Sequence, residues 1–520
     1  MSEPIFGIWS IAKARPTDDA IIEPDGTAHD AATVVSRAHR VTNGLRGLGL
    51  ERGDKVAVLL PNGIEYFDAL LATSEAGMHL VPINWHLSGP EIAYIVSDSG
   101  AKAFIGHARF APALATVLAD TDVPEAARFV VGDAVDGFRD YTSWHAEQSP
   151  DEPADRPAGD LMPYTSGTTG RPKGVERPLM DIDADAKAAS GSFLCHLFQI
   201  ATPDHVHLTV APLYHTAVTN FALASLQCGH TVVLMDRWTP EGCLEAIERH
   251  RVTTSHMVPT MFHRMLRLPD EVRLSYDVSS VSHMIHSAAP CPIPTKHAMV
   301  DWWGPAIYEY YAASEGGGTL ATPEDWLAHP GTVGNAWPIS EILISDDEGN
   351  ELPPGQVGTI WMRMGQMRFT YHGDEEKTKK SWNEQGYFTV GDVGEMDEDG
   401  FLYLRDRKVD MIISGGVNIY PAEVEGVLMQ HPKVLDCAVF GIPNDDWGEE
   451  VKAAVQPADD AEDDDGLEEE LLAFLGEQLG SYKVPRSIDF HQDFPRTATG
   501  KLVKRQLRDP YWEGRDSALV

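Results

Sequence analysis

Lys55-Val-Ala-Val-Leu-Leu60 is an almost uninterrupted apolar run, closed by Pro61-Asn62-Gly63 and followed by Ile64–Ala76, whose apolar residues recur at helical spacing as far as Gly77. A strand that is apolar on both faces is buried from both sides, and a glycine-ended helix after it completes half of a parallel strand–helix–strand unit. Working outward, His79–Asn84 reads as a strand, Glu91–Ser97 as a helix and Ala101–Ile105 as the next strand. The rhythm returns at Val206–Ala211, Thr231–Met235 and Val281–His286, each followed by a helical pattern. This alternation predicts an α/β fold of parallel-type sheets in two α/β layers. Between Gly331 and Tyr403 the pattern changes to short β-rich pieces broken by Gly349-Asn350 and Pro353-Pro354-Gly355, as in a small antiparallel subdomain. The charged run Arg405–Asp410 then precedes a compact mixed segment of α+β character. The expected organisation is a large N-terminal domain over 1–406, a connection over 407–410 and a small C-terminal domain over 411–520.

At 520 residues the chain exceeds what one hydrophobic core supports, so more than one domain is required. Lys and Arg number 41 against 79 Asp and Glu, a net charge of −38 that repels phosphate backbones and argues against a nucleic-acid partner. An anionic substrate must therefore enter through a locally positive site. No stretch approaches the roughly 18–20 apolar residues of a membrane helix, so no transmembrane segment is expected. The start, Met1–Pro16, lacks a basic region followed by an apolar one, and the expectation is a cytoplasmic protein. Cys195, Cys228, Cys243, Cys291 and Cys437 form no C-x-x-C pair, so they read as reduced, mostly buried thiols. The 21 histidines include His205 with His207 and His283 with His286, but none lies in an H-E-x-x-H pattern, and no dedicated transition-metal site is expected. Asp459–Glu470, nine acidic residues in twelve, reads as a solvated loop and helix start.

Chemistry concentrates in Tyr164-Thr-Ser-Gly-Thr-Thr-Gly-Arg-Pro-Lys-Gly174. Glycines let backbone N–H groups approach an anion, the hydroxyls of Thr165, Ser166, Thr168 and Thr169 add donors, and Lys173 adds positive charge. That combination suits a polyphosphate. It is not a Walker A loop, since Pro172 and Lys173-Gly174 stand where that pattern needs Gly-Lys followed by Ser or Thr.

This run resembles the phosphate-binding loop of the adenylate-forming enzymes: acyl- and aryl-CoA synthetases, peptide-synthetase adenylation domains and beetle luciferases. Further motifs follow in that family's order: Ala211-Pro-Leu-Tyr-His-Thr216, Tyr311-Ala-Ala-Ser-Glu315, Gly391-Asp392 with Arg407, and Pro495-Arg-Thr-Ala-Thr-Gly-Lys501. The resemblance covers nearly the whole chain and implies a two-step reaction in which a carboxylic acid is adenylated by ATP and then passed to the thiol of coenzyme A. It implies Lys501, Glu315 and His215 as catalytic residues. It implies nucleotide and coenzyme contacts at Thr165, Ser166, Gly167, Thr168, Thr169, Gly170, Lys173, Ala288, Ala289, Glu309, Tyr310, Tyr311, Ser314, Asp392, Arg407, Gly415 and Gly416, with Mg²⁺ held by Glu315 and Thr165. The residue chemistry agrees. Glu315 offers hard oxygen donors, Tyr311 can stack a base, Asp392 can accept from ribose hydroxyls, and Lys501 can stabilise charge during acyl transfer. In the family the C-terminal domain swings as a lid, presenting first the lysine and then a glycine-rich face equivalent to Ser414-Gly-Gly416. The resemblance also allows a homodimer.

Three positions depart from the family pattern: Val409 at the hinge, Ala312 for glycine, and Lys504 where arginine is common. Peptide-synthetase adenylation domains carry an Asp in the region of Pro212–Asn220, which is absent here, so loading of an amino or aryl acid onto a carrier protein is the alternative reading. Nothing in the sequence speaks for oxygen chemistry, and a nucleotide-binding role without catalysis would not need Lys501 and Glu315. The acid itself is expected to be a hydrophobic monocarboxylic acid (fatty, alicyclic or steroid-like). The residues expected to line its site, Tyr214, Ala217, Val218, Met257–Thr260 and Ala312–Gly318, include no Lys or Arg. Glu324–Gly331 also resembles the branch holding fatty-acyl and bile-acid ligases. Gly316, Gly317 and Gly318 beside Glu315 are expected to leave a wide pocket.

Overall fold

The computed structural model describes residues 5–165, 172–407, 410–415, 417–444, 446–458, 465–496 and 502–513. Contacts divide the chain into two compact units, one of Met1–Met257, Arg267–Ile285 and Gln366–Lys380, the other of Val258–Leu266, His286–Gly365 and Ser381–Val520. The hinge position Val409 lies outside the described residues.

In the first unit, β1 (Lys55–Leu59) is central to a parallel sheet. His79–Pro82 and Ala103–His107 flank it, Asp160–Leu161 lies beyond the former, and Arg128–Val131 and Arg139–Asp140 lie beyond the latter. Val56, Ala57, Val58 and Leu59 are all buried, as the unbroken apolar run requires. Helix α1 (Ile64–Ala76) follows the break at Pro61 and stops at Gly77, whose φ of +70° only glycine adopts without strain. The helix is buried on nearly every side, including two carboxylates, so each must be paired. Asp68 accepts two bonds from the Arg37 guanidinium, at 2.9 and 2.6 Å, and one from the Tyr141 hydroxyl at 2.8 Å. Glu75 is met by the His39 ring at 2.9 Å, the Thr42 hydroxyl at 2.7 Å and Arg156 Nε at 3.1 Å.

The same unit holds a second parallel set. Helix α2 (Phe193–Leu197) precedes β2 (Val206–Thr209), then come helix α3 (Thr216–Cys228) and β3 (Thr231–Leu234). β2 pairs in parallel with β3 and with Thr254–Met257, and β3 pairs with Asp19–Ile22. Tyr164–Thr165, Lys173–Glu176 and Thr370–Tyr371 make a small antiparallel sheet.

The second unit is largely antiparallel. β4 (Ile307–Ala313) turns at Ser314-Glu315 into β5 (Gly316–Ala321), which pairs with Asn335–Ala336. Ser340–Ser345, Gly358–Met364, β6 (Asp392–Met396) and β7 (Leu402–Arg407) form a four-stranded sheet, matching the antiparallel texture read from 331 to 403. From Ile412 onward a mixed sheet and three helices enclose a core of their own, built on residues such as Ile419, Val424, Val439, Val455 and Leu471. No helix among the described residues is long and apolar enough to cross a membrane.

Two buried histidines give the first unit a pH dependence. Burial pushes His207 down to about 3 and His256 down to about 4, and both rings stack near Phe221. The unfolded chain takes up these protons below about pH 6.5 while the native state does not, so stability falls as pH drops from there toward 4. Each site contributes up to about 1.4 kcal/mol per pH unit in that window. The urea midpoint should therefore be clearly lower at pH 5.5 than at pH 7.5, and equal midpoints would contradict this assignment.

Candidate active site

Most of the residues singled out in the second unit converge on the hairpin β4–β5. The Tyr311 hydroxyl donates to Asp392 Oδ2 at 2.7 Å, and Asp392, at the start of β6, lies directly opposite Arg407, at the end of β7. A phenol, a carboxylate and an arginine position from three distant segments thus meet at one place. Tyr310 is buried against Trp337, with ring centroids 6.5 Å apart, and burial raises its hydroxyl to about 12. Ser314 and Glu315 occupy the tip of the hairpin, with Glu315 buried. Ala288 and Ala289 form an exposed bend after the strand His283–His286, and Ala288 has a φ of +73°. A non-glycine residue in the left-handed region stores strain, which clusters at functional sites.

The Glu309 carboxylate is buried and accepts from Lys296 Nζ at 2.6 Å, and that ammonium, itself fully buried, sits 4.6 Å from the Trp326 ring centroid. Burial pushes the carboxyl up and the ammonium down, and each charge offsets the other's shift. The Glu309 side chain is thus tied to Lys296, which fixes β4 in place.

The space beside Gly318 is closed. A Cβ on Gly318 would lie 2.6 Å from the Trp337 indole and 2.7 Å from the Tyr311 carbonyl oxygen, so that space is already filled. Gly317 has a φ of +69° and faces Met362, and Gly316 has a φ of +131°. The three glycines serve a tight hairpin packed under Trp337, whose indole N–H donates to the Thr319 carbonyl at 2.9 Å.

In the first unit, Thr165 and Lys173 are ladder partners, and Lys173 Nζ lies 3.5 Å from Asp374. Ser166, Gly167, Thr168, Thr169 and Gly170 lie outside the described residues, as do Gly416 and Lys501 in the second unit. The segment Ala211–His215 is held from below by Asn62. Its amide donates to the Ala211 and Met235 carbonyls at 3.0 and 2.8 Å, and its oxygen accepts the Leu213 N–H at 2.8 Å. The Tyr66 hydroxyl adds a bond to the Leu213 carbonyl at 2.8 Å. Asn62 looked like a mere strand breaker in the sequence.

His215 is the residue before α3, and burial holds it down to about 3, so its ring is neutral at physiological pH. Its Nε2, the Tyr214 hydroxyl and Trp85 Nε1 are buried with no hydrogen-bond partner among the described residues. Trp85 stacks on Phe110 at 5.4 Å and meets Tyr214 edge-on at 5.9 Å. This aromatic wall went unseen in the sequence because Trp85 and Phe110 carry no motif of their own.

At the other end of the chain, Gly415 has a φ of +58° and lies under Trp447, whose carbonyl accepts the Gly415 N–H at 2.8 Å. Lys504 pairs with Glu425 at 2.7 Å, a bond that ties the last helix to the helix Pro421–Leu428.

The AMP-binding enzyme family model matches residues 8–372, and the AMP-binding enzyme C-terminal domain matches residues 423–501. The chain is 34% identical over 516 residues to a feruloyl-CoA synthase of Streptomyces sp, covering 97% of this chain and 98% of that protein. It is 32% identical over 509 residues to the long-chain-fatty-acid–CoA ligase FadD13 of Mycobacterium tuberculosis, covering 96% and 97%. ATP-bound MatB from Rhodopseudomonas palustris superposes with a TM-score of 0.81 at 29% identity, covering 98% of this chain and 99% of that one.

Because Trp337 already fills the space over Gly318, Gly318→Ala should lower stability by about 1–3 kcal/mol and depress turnover on all acids alike. A shifted acid profile at an unchanged melting temperature would support the wide-pocket reading.

Proposed function

The chain belongs to the AMP-binding enzyme family, and from that premise we propose that it is an ATP-dependent, AMP-forming carboxylic acid–CoA ligase acting on hydrophobic monocarboxylic acids. The observation that carries this reading is the convergence of Tyr311, Asp392 and the Arg407 position, because a hydrogen-bonded phenol–carboxylate pair beside an arginine suits a ribose and its base. In the first step a carboxylate oxygen attacks the α-phosphorus of ATP and pyrophosphate leaves. In the second the coenzyme A thiol attacks the acyl carbon, its proton is lost, and AMP departs.

Each group has a role in this scheme. Lys173 and the Thr165 loop bind the polyphosphate, and Lys501 stabilises the charge that builds up during adenylation. Glu315 and Thr165 would hold Mg²⁺, which neutralises phosphate charge when bound, and their oxygen donors fit a hard cation. His215, neutral, positions the acid by hydrogen bonding. The connection at 407–410 lets residues 411–520 present Lys501 in one step and the face at Gly415 in the other.

The acid class rests on the wall of Trp85, Phe110 and Tyr214. Its large apolar rings and unpartnered N–H and O–H groups suit an apolar or ring-bearing acid with few polar substituents. The relatives named above are consistent with either an aryl or a fatty acid.

A panel of aryl, alicyclic and linear acids, assayed for AMP release and thioester mass with coenzyme A present, tests the proposal. Thioester should form best with the apolar acids. Adenylation without any thioester would favour carrier-protein loading instead. Lys501→Ala should slow acyl-AMP formation by about 10²–10³-fold yet leave thioester formation from supplied acyl-AMP largely intact. Equal loss of both half-reactions in a folded variant would remove Lys501 from the adenylation step. Tyr311→Phe should raise KM for ATP by about tenfold, as expected for loss of one bond to a carboxylate, with KM for the acid little changed.

A further inference from the structure

Cys195, in α2, and Cys228, the last residue of α3, are 33 positions apart and share no motif, yet the fold places them together with His230. One ligand atom from each lies within 4.8 Å of the other two, and all three residues are nine-tenths or more buried. Among the described residues no other group of three His, Cys, Asp or Glu is gathered this closely. The approach of His230 is fixed by the chain: α3 ends on Gly229, with a φ of +80°, and the His230 N–H bonds back to the Ser225 carbonyl at 3.0 Å.

The His230 ring is set as a metal-binding imidazole is set. Nε2 lies 2.9 Å from the Ile200 carbonyl oxygen. A carbonyl only accepts, so Nε2 carries the proton and Nδ1 of the neutral ring presents a lone pair. Nδ1 is buried with no hydrogen-bond partner among the described residues. A backbone carbonyl that fixes the tautomer from behind is the usual support of a metal-ligating histidine. A buried acceptor left without a donor is otherwise unfavourable.

We propose that Cys195, Cys228 and His230 form a binding site for a soft divalent d¹⁰ cation of the zinc class. Binding replaces two S–H bonds with two sulfur–metal bonds and releases two protons to solvent. Two thiolates then cancel the charge of a divalent ion, so no net charge is buried. Zinc sits about 2.3 Å from sulfur and takes its ligands tetrahedrally, which sets two sulfurs about 3.8 Å apart, so the three ligand atoms, within 4.8 Å of one another, draw together around the ion on binding. The ion would clamp α2 to the C-terminal end of α3, the helix whose other end follows Tyr214 and His215.

The test uses the full chain, reduced and stripped with chelator under native conditions, then given one equivalent of Zn²⁺, Cd²⁺ or, in a separate arm, Cu⁺, and desalted. The wild type should retain one Zn²⁺ or Cd²⁺ per chain. With Cd²⁺ it should show sulfur-to-metal charge-transfer absorption and release two protons, readouts that need no variant. Cys243→Ala, at a buried cysteine elsewhere, should behave as wild type. Cys195→Ala and Cys228→Ala should abolish the absorption, and His230→Gln should weaken retention by about 10–100-fold. The proposal is overturned if the wild type retains no divalent ion, if it takes up Cu⁺ alone, if Cys195→Ala and Cys228→Ala retain metal as well as wild type, or if a Cys195–Cys228 disulfide forms and metal uptake is absent. Failure here would leave the ligase reading untouched, since no step of that reaction uses these residues.

Discussion

The bond from the Tyr311 hydroxyl to Asp392 is the constraint on which the arrangement of the second unit turns. It joins a hairpin to a separate four-stranded sheet across 81 positions of sequence. Either strand alone could slide, but a register slip in β4 would turn Tyr311 to the opposite face and break the contact. β4 is therefore held three ways. Lys296 grips Glu309, Asp392 takes Tyr311 two residues further along the same face, and Trp337 fills the space beside Gly318. Glu315 at the hairpin tip inherits its position from all three.

The first unit achieves the same rigidity with buried charge. α1 carries two carboxylates into an apolar layer, and each is satisfied by a separate set of donors. Such pairs contribute little net stability over apolar packing, but removing any one partner leaves an uncompensated charge. Asn62, next to that helix, then fixes Ala211–His215 through the backbone, so the aromatic wall rests on a fully bonded loop.

Much of the fold was legible because parallel strands buried on both faces leave unbroken apolar runs, and β1 with α1 reproduced its reading almost residue for residue. The antiparallel part was equally plain from its turn residues. What escaped was proximity. Nothing in the spacing of Cys195, Cys228 and His230 brings them together; the crossover of α2, α3 and β3 does. Trp85 and Phe110 sit in loops whose local sequence reports no contact with Tyr214. The pairing of Glu309 with Lys296 and the packing of Gly318 under Trp337 likewise leave no signal in the local sequence. Motif residues are visible because chemistry fixes their identity, while supporting residues are chosen by neighbours that only the fold supplies.

The pairing of Thr165 with Lys173 has a consequence for how a nucleotide would be met. The two ends of the glycine-rich run are joined by strand hydrogen bonds before any ligand arrives, so the entropy of bringing them together belongs to folding. A ligand that touches both Thr165 and Lys173 would meet two residues already held side by side, so their alignment costs it no affinity.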